Sequence, residues 1–235
     1  MSTATYRERR GELETYFDRT AVDAWRKLTS DAPVGRIRAT VRAGREEMRA
    51  QMLSWLPEDL RGKRVLDAGC GTGAFSVELA RRGARVTAID ISPNLIKLAQ
   101  DRLPHEIGEG SIDFRVGDML DSATGHFDHV VAMDSLIHYD TADIVKALGA
   151  LAARTNTSMI VTFAPRTPML SAMHAVGRLF PRSDRAPAIE PVSEPRLRRA
   201  VAADHGLARW VFGRTHRVSR GFYISQGVEF RHIND

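Results

Sequence analysis

The stretch Val65–Gly73, VLDAGCGTG, decides how this chain is read. Val65, Leu66 and Ala68 are the apolar end of a strand. Gly69, Gly71 and Gly73 let the backbone turn and pass close to a ligand at the strand's carboxyl end. Two spacings overlap in it. Gly69-x-Gly71-x-x-Ala74 fits a loop for a dinucleotide pyrophosphate, which implies hydride transfer. Asp67-x-Gly69-x-Gly71-x-Gly73 fits a nucleoside that carries a cationic amino acid, which implies methyl transfer.

Outward from that loop the chain alternates strand and helix. AFSVELARRG is a helix stopped by Gly83. ARVTAID is a second strand, and SPNLIKLAQDRL a helix with Ser92 as cap and Pro93 in its first turn. IDFRVGD and FDHVVAMD are the third and fourth strands, TADIVKALGALAAR a helix capped by Thr141, and TSMIVTFAP the fifth strand. SEPRLRRAVAADHG is a further helix, from Ser193 to a stop at Gly206. Two closing strands, ARWVFGRTHRV and GFYISQGVEFRH, pair antiparallel. The expected fold is α/β: a doubly wound, mostly parallel, seven-stranded sheet with helices on both faces.

Residues 1–60 read as a helical arm, with Leu13, Tyr16 and Phe17 on one face and Trp25 and Leu28 after them. Ile37, Val41, Met48, Met52 and Trp55 form a longer apolar stripe. Gly35 and Gly44 give this arm backbone freedom. Residues 61–235 form the main domain. Its segment at about 166–190 is amphipathic, then proline-rich, and too long for a plain connection, so it is expected to be a lid on the substrate side.

The choice of cofactor falls to three carboxylates. Asp67 stands at the tip of the first strand, where an anion is unhelpful to a pyrophosphate and useful to a ligand bearing an ammonium and a sulfonium. Asp90 ends the second strand 17 residues after Gly73, where a carboxylate accepts from both ribose hydroxyls. Asp118 ends the third strand and is expected to accept from the adenine amino group, with Met119 against the ring. Ile91, beside Asp90, and Met133, at the end of the fourth strand, are assigned to the same site. Three acids on three consecutive strands point to S-adenosylmethionine, with S-adenosylhomocysteine as product, and this region resembles a class I methyltransferase domain.

Composition is that of a soluble globular protein, with 43% hydrophobic and 27% charged residues. No run of about 18 apolar residues implies a membrane span, and the N-terminus lacks an apolar signal core, so a cytoplasmic location is expected. The lone cysteine, Cys70, reads as a small buried residue of the glycine loop. Charge is uneven. Residues 1–64 hold 14 Lys+Arg against 10 Asp+Glu, residues 65–164 hold 8 against 13, and residues 165–235 hold 12 against 6. The basic flanks suit an anionic partner: a carboxylate substrate, an acidic membrane surface or nucleic acid. No RNA-binding motif accompanies them, so no nucleic-acid partner is expected. The eight histidines show no ligand-like spacing, and no metal site is expected.

The segments YFDRTAVDAWRKLTS (16–30), VRAGREEMR, MDSLIHY, LFPRSDRAPAI and RVSRGFYIS resemble the magnesium-protoporphyrin IX O-methyltransferases of bacteriochlorophyll and chlorophyll synthesis. The resemblance covers nearly the whole chain. It implies transfer of a methyl group to one propionate carboxylate of magnesium-protoporphyrin IX. It also implies that the magnesium-chelatase large subunit supplies that substrate near pigment-synthesising membranes. With charge, it makes Arg42 a candidate for the cofactor carboxylate. Arg166, Arg182 and Arg185 are candidates for the acceptor's carboxylates. His138, just past the fourth strand, and Tyr16, in the covering arm, are the catalytic candidates. Two other readings stand beside this one: a methyltransferase for RNA or another small acid, and a non-catalytic porphyrin carrier.

Overall fold

The computed structural model describes residues 4–20, 35–167 and 189–233. Trp25, Leu28, Arg182, Arg185 and most of the 166–190 insert lie outside the described residues.

Two helices precede the sheet: α1 (Ala4–Thr15), running into a wider π-type turn at Tyr16–Thr20, and α2 (Arg36–Leu53). Then follow β1 (Arg64–Ala68), α3 (Ala74–Arg81), β2 (Arg85–Asp90), α4 (Pro93–Asp101), β3 (Ser111–Val116) and β4 (Phe127–Ala132). The chain continues with α5 (Thr141–Ala152), β5 (Thr155–Phe163), α6 (Glu194–Ala203), β6 (Trp210–Arg220) and β7 (Tyr223–His232). The seven strands lie in the order β3-β2-β1-β4-β5-β7-β6. β1 to β5 are parallel, while β7 is antiparallel to β5 and to β6. Strand order reverses between β1 and β4, which opens a crevice at their carboxyl ends.

The central strands feed two cores, because successive side chains point to opposite faces. Leu66, Ala68, Val130, Met159 and Val161 pack under α5 and α6, together with Tyr6 and Leu13 of α1. Val65, Val86, Val131 and Ile160 pack on the other face with Met48 and Met52 of α2 and with Phe75 and Leu79 of α3. Burial on both faces explains why β1 and β4 read as continuous apolar runs.

Several local expectations are corrected. The cap of α5 is Asp140, whose carboxylate accepts from the Asp143 N–H, because Thr141 is already helical. Helix α6 ends before Gly206, in a short turn at His205–Leu207 stabilised by Asp204. Ile37 is 57% exposed and lies off the buried stripe that Met48 and Met52 form. Gly44 is no hinge: it sits mid-helix in α2, where a Cβ would stand 2.5 Å from the Tyr223 ring. It is a contact glycine that lets α2 dock on β7.

Gly110 is a second such point, since its Cβ would lie 2.2 Å from the Ala80 carbonyl oxygen. Backbone cannot yield as a flexible side chain does. Gly110→Ala is therefore expected to destabilise the fold by about 1–3 kcal/mol, read as a lower thermal midpoint. An unchanged midpoint would contradict this packing.

Candidate active site

The crevice holds a cavity of about 280 Å³. Its floor is the β1–α3 loop. Gly69, Gly71 and Gly73 all have positive φ, at 80°, 55° and 77°. Gly69 is required sterically as well, since a Cβ there would lie 2.5 Å from the Ser135 Cβ. Gly71 faces open space. The N–H groups of Gly69 and Cys70 donate to the Ile89 carbonyl at 2.8 and 3.0 Å, which ties the loop to the tip of β2. Burial pushes the Cys70 thiol up, so it stays protonated.

Two carboxylates face this floor. Asp67 is 1% exposed and accepts a 2.6 Å hydrogen bond from the Ser76 hydroxyl. Burial pushes it up to about 7; the Ser76 hydrogen bond opposes the rise and the nearby Asp90 charge adds to it. Asp90 is 8% exposed and accepts from the Gly71 N–H at 2.9 Å and the Ser92 N–H at 3.0 Å. Burial raises it too, against those backbone hydrogen bonds. Neither acid has an ion pair among the described residues. Two buried carboxylates at neighbouring strand tips, with no protein cation between them, suit a ligand that brings positive charge and hydroxyl donors. S-adenosylmethionine has both.

The wall beyond β4 is the segment Met133–Tyr139. Asp134 alone among the described non-glycine residues has positive φ, at 58°. The surroundings hold it there: its carboxylate takes Arg45 of α2, the Tyr223 hydroxyl at 3.0 Å and the Ser225 hydroxyl at 3.3 Å, and its N–H donates to Thr162 at 2.7 Å. Past it lies His138, buried at 7% exposure, whose ring meets Phe17 edge-on at 6.1 Å.

Helix α1 is the roof. Tyr6 stacks on Tyr139 with ring centroids 4.8 Å apart, and its hydroxyl donates to Asp118 at 2.9 Å. Arg10 donates to the other Asp118 oxygen at 3.1 Å. Tyr6, Arg10, Leu13 and Phe17 all line the cavity. Arg154, just before β5, pins the opposite side by donating to the carbonyls of Met119 and Asp121 and to Thr124.

Of the residues expected from sequence, Arg42, Asp67, Gly69, Gly71, Asp90, Ile91, Met119, Met133 and His138 line this one cavity. Two do not. Asp118 turns its carboxylate outward to Tyr6, Arg10 and the Leu120 N–H, because α1 crosses the end of β3 and takes both oxygens. Tyr16 stands one ring away, edge-on to Phe17 at 5.2 Å. Sequence reasoning missed Tyr6, Arg10, Arg45, Arg49 and Asp134. The partners of Tyr6, Arg10, Arg45 and Asp134 are remote in the chain, and the available signal was the arginine spacing in RAGREEMR.

Residues 132–232 match the family described as magnesium-protoporphyrin IX methyltransferase C-terminus, and residues 65–157 match a methyltransferase domain. The chain is 52% identical over 227 residues to the magnesium-protoporphyrin O-methyltransferase of Rhodobacter capsulatus, covering 96% of this chain and 98% of that one. It is 33% identical to the chloroplastic magnesium protoporphyrin IX methyltransferase of Arabidopsis thaliana, over 92% of this chain and 69% of that one. The crystal structure of magnesium protoporphyrin IX methyltransferase from Synechocystis PCC 6803 with bound SAH superposes with a TM-score of 0.82 at 30% identity, over 95% of this chain and 99% of that one. With a likeness this close to full length, the chain belongs to the magnesium-protoporphyrin O-methyltransferase family and has the class I fold of S-adenosylmethionine-dependent methyltransferases.

Proposed function

We propose that the protein transfers a methyl group from S-adenosylmethionine to one propionate carboxylate of magnesium-protoporphyrin IX, giving the monomethyl ester. The observation that carries this reading is a single cavity lined by the glycine loop, both strand-tip carboxylates and His138. S-adenosylmethionine supplies an electrophilic methyl on a sulfonium. Asp67 offsets the positive charge of the methionyl end, Asp90 accepts from the ribose, and Met119 and Ile91 flank the adenine. Arg42 is the candidate for the methionyl carboxylate.

A propionic acid titrates near the Glu reference of roughly 4.3, so in water it is already an anion at neutral pH. Beside Phe17 and Tyr139 it is desolvated, and the anion is disfavoured. His138 then takes the proton or, once protonated, holds the carboxylate in line with the methyl group. Tyr16 serves this step through Phe17, whose ring it backs. His138→Ala is expected to lower turnover by about 100-fold and leave cofactor affinity within about twofold. Steady-state rates and calorimetry read the two quantities. Wild-type turnover in that variant would leave positioning alone as the catalysis.

Within the arm of residues 1–60, α1 acts as a cover that opens for a flat, bulky ring while Met48 and Met52 keep α2 fixed on the sheet, and residues 61–235 carry the chemistry. The latch of Tyr6 and Arg10 on Asp118 supports the closed form of that cover. The family resemblance supports hand-over from the magnesium-chelatase large subunit. A peripheral contact with an acidic membrane has support of its own. Exposed Ile37, at 57%, lies on α2 between exposed Arg36 and Arg38, and exposed Phe222, at 53%, lies in the β6–β7 turn, which packs on α2 where Gly221 meets Thr40. No described helix is long and apolar enough to cross a membrane. The protein is expected to co-sediment with phosphatidylglycerol vesicles at low salt and release as salt rises. Equal sedimentation with neutral vesicles would contradict this charge-based contact.

A further inference from the structure

Helix α2 carries two adjacent stripes. Gly44, Met48 and Met52 point into the core and fix the helix on the sheet. Arg42, Arg45, Glu46 and Arg49, at i, i+3, i+4 and i+7, line the cavity. The helix therefore presents three guanidinium groups to one space.

They are not equivalent. Arg45 is neutralised by Asp134. Arg49 makes no hydrogen bond and no ion pair among the described residues, although it is only partly exposed. Burial and the neighbouring Arg45 lower its pKa, and Glu46 and Glu78 raise it. Neither acid closes to ion-pair distance among the described residues; Glu78 is held by Arg81 at 2.7 Å. A half-buried guanidinium with no ion-pair partner among the described residues is unfavourable. It lines the same cavity as Cys70, Gly71 and Thr72 of the glycine loop.

We infer that Arg49 is a carboxylate receptor of this site. The inference rests on the methyl-transfer reading above. Two carboxylates in that reaction call for a cation beside the candidates already named: the methionyl carboxylate, for which Arg42 is one, and the propionate that does not react, for which Arg166, Arg182 and Arg185 are others. Both call for the planar two-donor fork of a guanidinium.

The test compares wild type, Arg49→Met and Arg49→Lys. Arg49→Met is expected to raise the thermal midpoint of the ligand-free protein, because it removes an unpaired, half-buried charge. It is also expected to weaken one carboxylate ligand by about 10- to 100-fold. Calorimetry with S-adenosylhomocysteine and with its decarboxylated analogue reads the first source: a loss confined to the acid assigns Arg49 to the cofactor. The KM for magnesium-protoporphyrin IX, against an acceptor with one propionate amidated, reads the second: a rise only with the diacid assigns it to the porphyrin. Arg49→Lys keeps the charge and is expected to recover part of the loss. Unchanged binding of both ligands, with wild-type methyl transfer intact, overturns the inference and leaves the methyl-transfer reading standing. Absence of ester from the wild type overturns that reading instead.

Discussion

Asp90→Ala is expected to lower the affinity for S-adenosylmethionine by about 100- to 1,000-fold. Two hydrogen bonds to a charged acceptor contribute about 1.5–3 kcal/mol each before water replaces them, and each factor of ten is about 1.4 kcal/mol. The carboxylate also accepts the Gly71 N–H at 2.9 Å and the Ser92 N–H at 3.0 Å. The variant is thus expected to lose the proposed ribose acceptor and to release the glycine loop together. Asp90→Asn keeps one acceptor oxygen and is expected to fall between. Calorimetry with S-adenosylhomocysteine reads all three proteins, and wild-type affinity in Asp90→Ala would contradict the assignment.

Asp67→Asn is expected to move stability and binding in opposite directions. The carboxyl goes from an ordinary 3.8 to about 7 in the fold. Between those values the native state keeps a proton that the unfolded chain has released. Stability is thus full below the lower value and falls as pH rises through the upper one. The difference is about 4 kcal/mol, at about 1.4 kcal/mol per pH unit. At about pH 8 the ligand-free Asp67→Asn protein is expected to melt roughly 8–16 °C above wild type. Its cofactor affinity falls, because the ammonium and sulfonium lose their counter-charge. In wild type a cationic ligand displaces the Asp67 proton, so affinity rises between about pH 6 and about pH 8, and Asp67→Asn abolishes that slope. A variant that melts lower than wild type at about pH 8 would show that Asp67 is there to hold the loop through Ser76.

The difference between Asp90 and Asp118 shows what was legible in the sequence. Asp67 and Asp90 follow from local rules: a strand ends, glycines turn the chain, and the next strand ends alongside. Parallel pairing of Asp67 with Ala88 carries the two tips to one edge. Asp118 ends its strand by the same rule, yet it is taken by Tyr6, 112 residues away. Only the packing of α1 decides that, and nothing near Asp118 announces it. Asp134 is illegible for the same reason, since Arg45 and Tyr223 each lie 89 residues from it in sequence. Gly44 misled because glycine in a helix reads as freedom when chain order alone is known. Against Tyr223 it reads as lack of space.

The most direct test of the central claim is the fate of a labelled methyl group. Incubated with methyl-labelled S-adenosylmethionine, magnesium-protoporphyrin IX and bulk RNA together, the protein is expected to place label on the porphyrin as an alkali-labile monomethyl ester. His138→Ala is expected to slow that transfer by about 100-fold. Label in RNA, or a porphyrin that stays bound and unlabelled, would contradict the account.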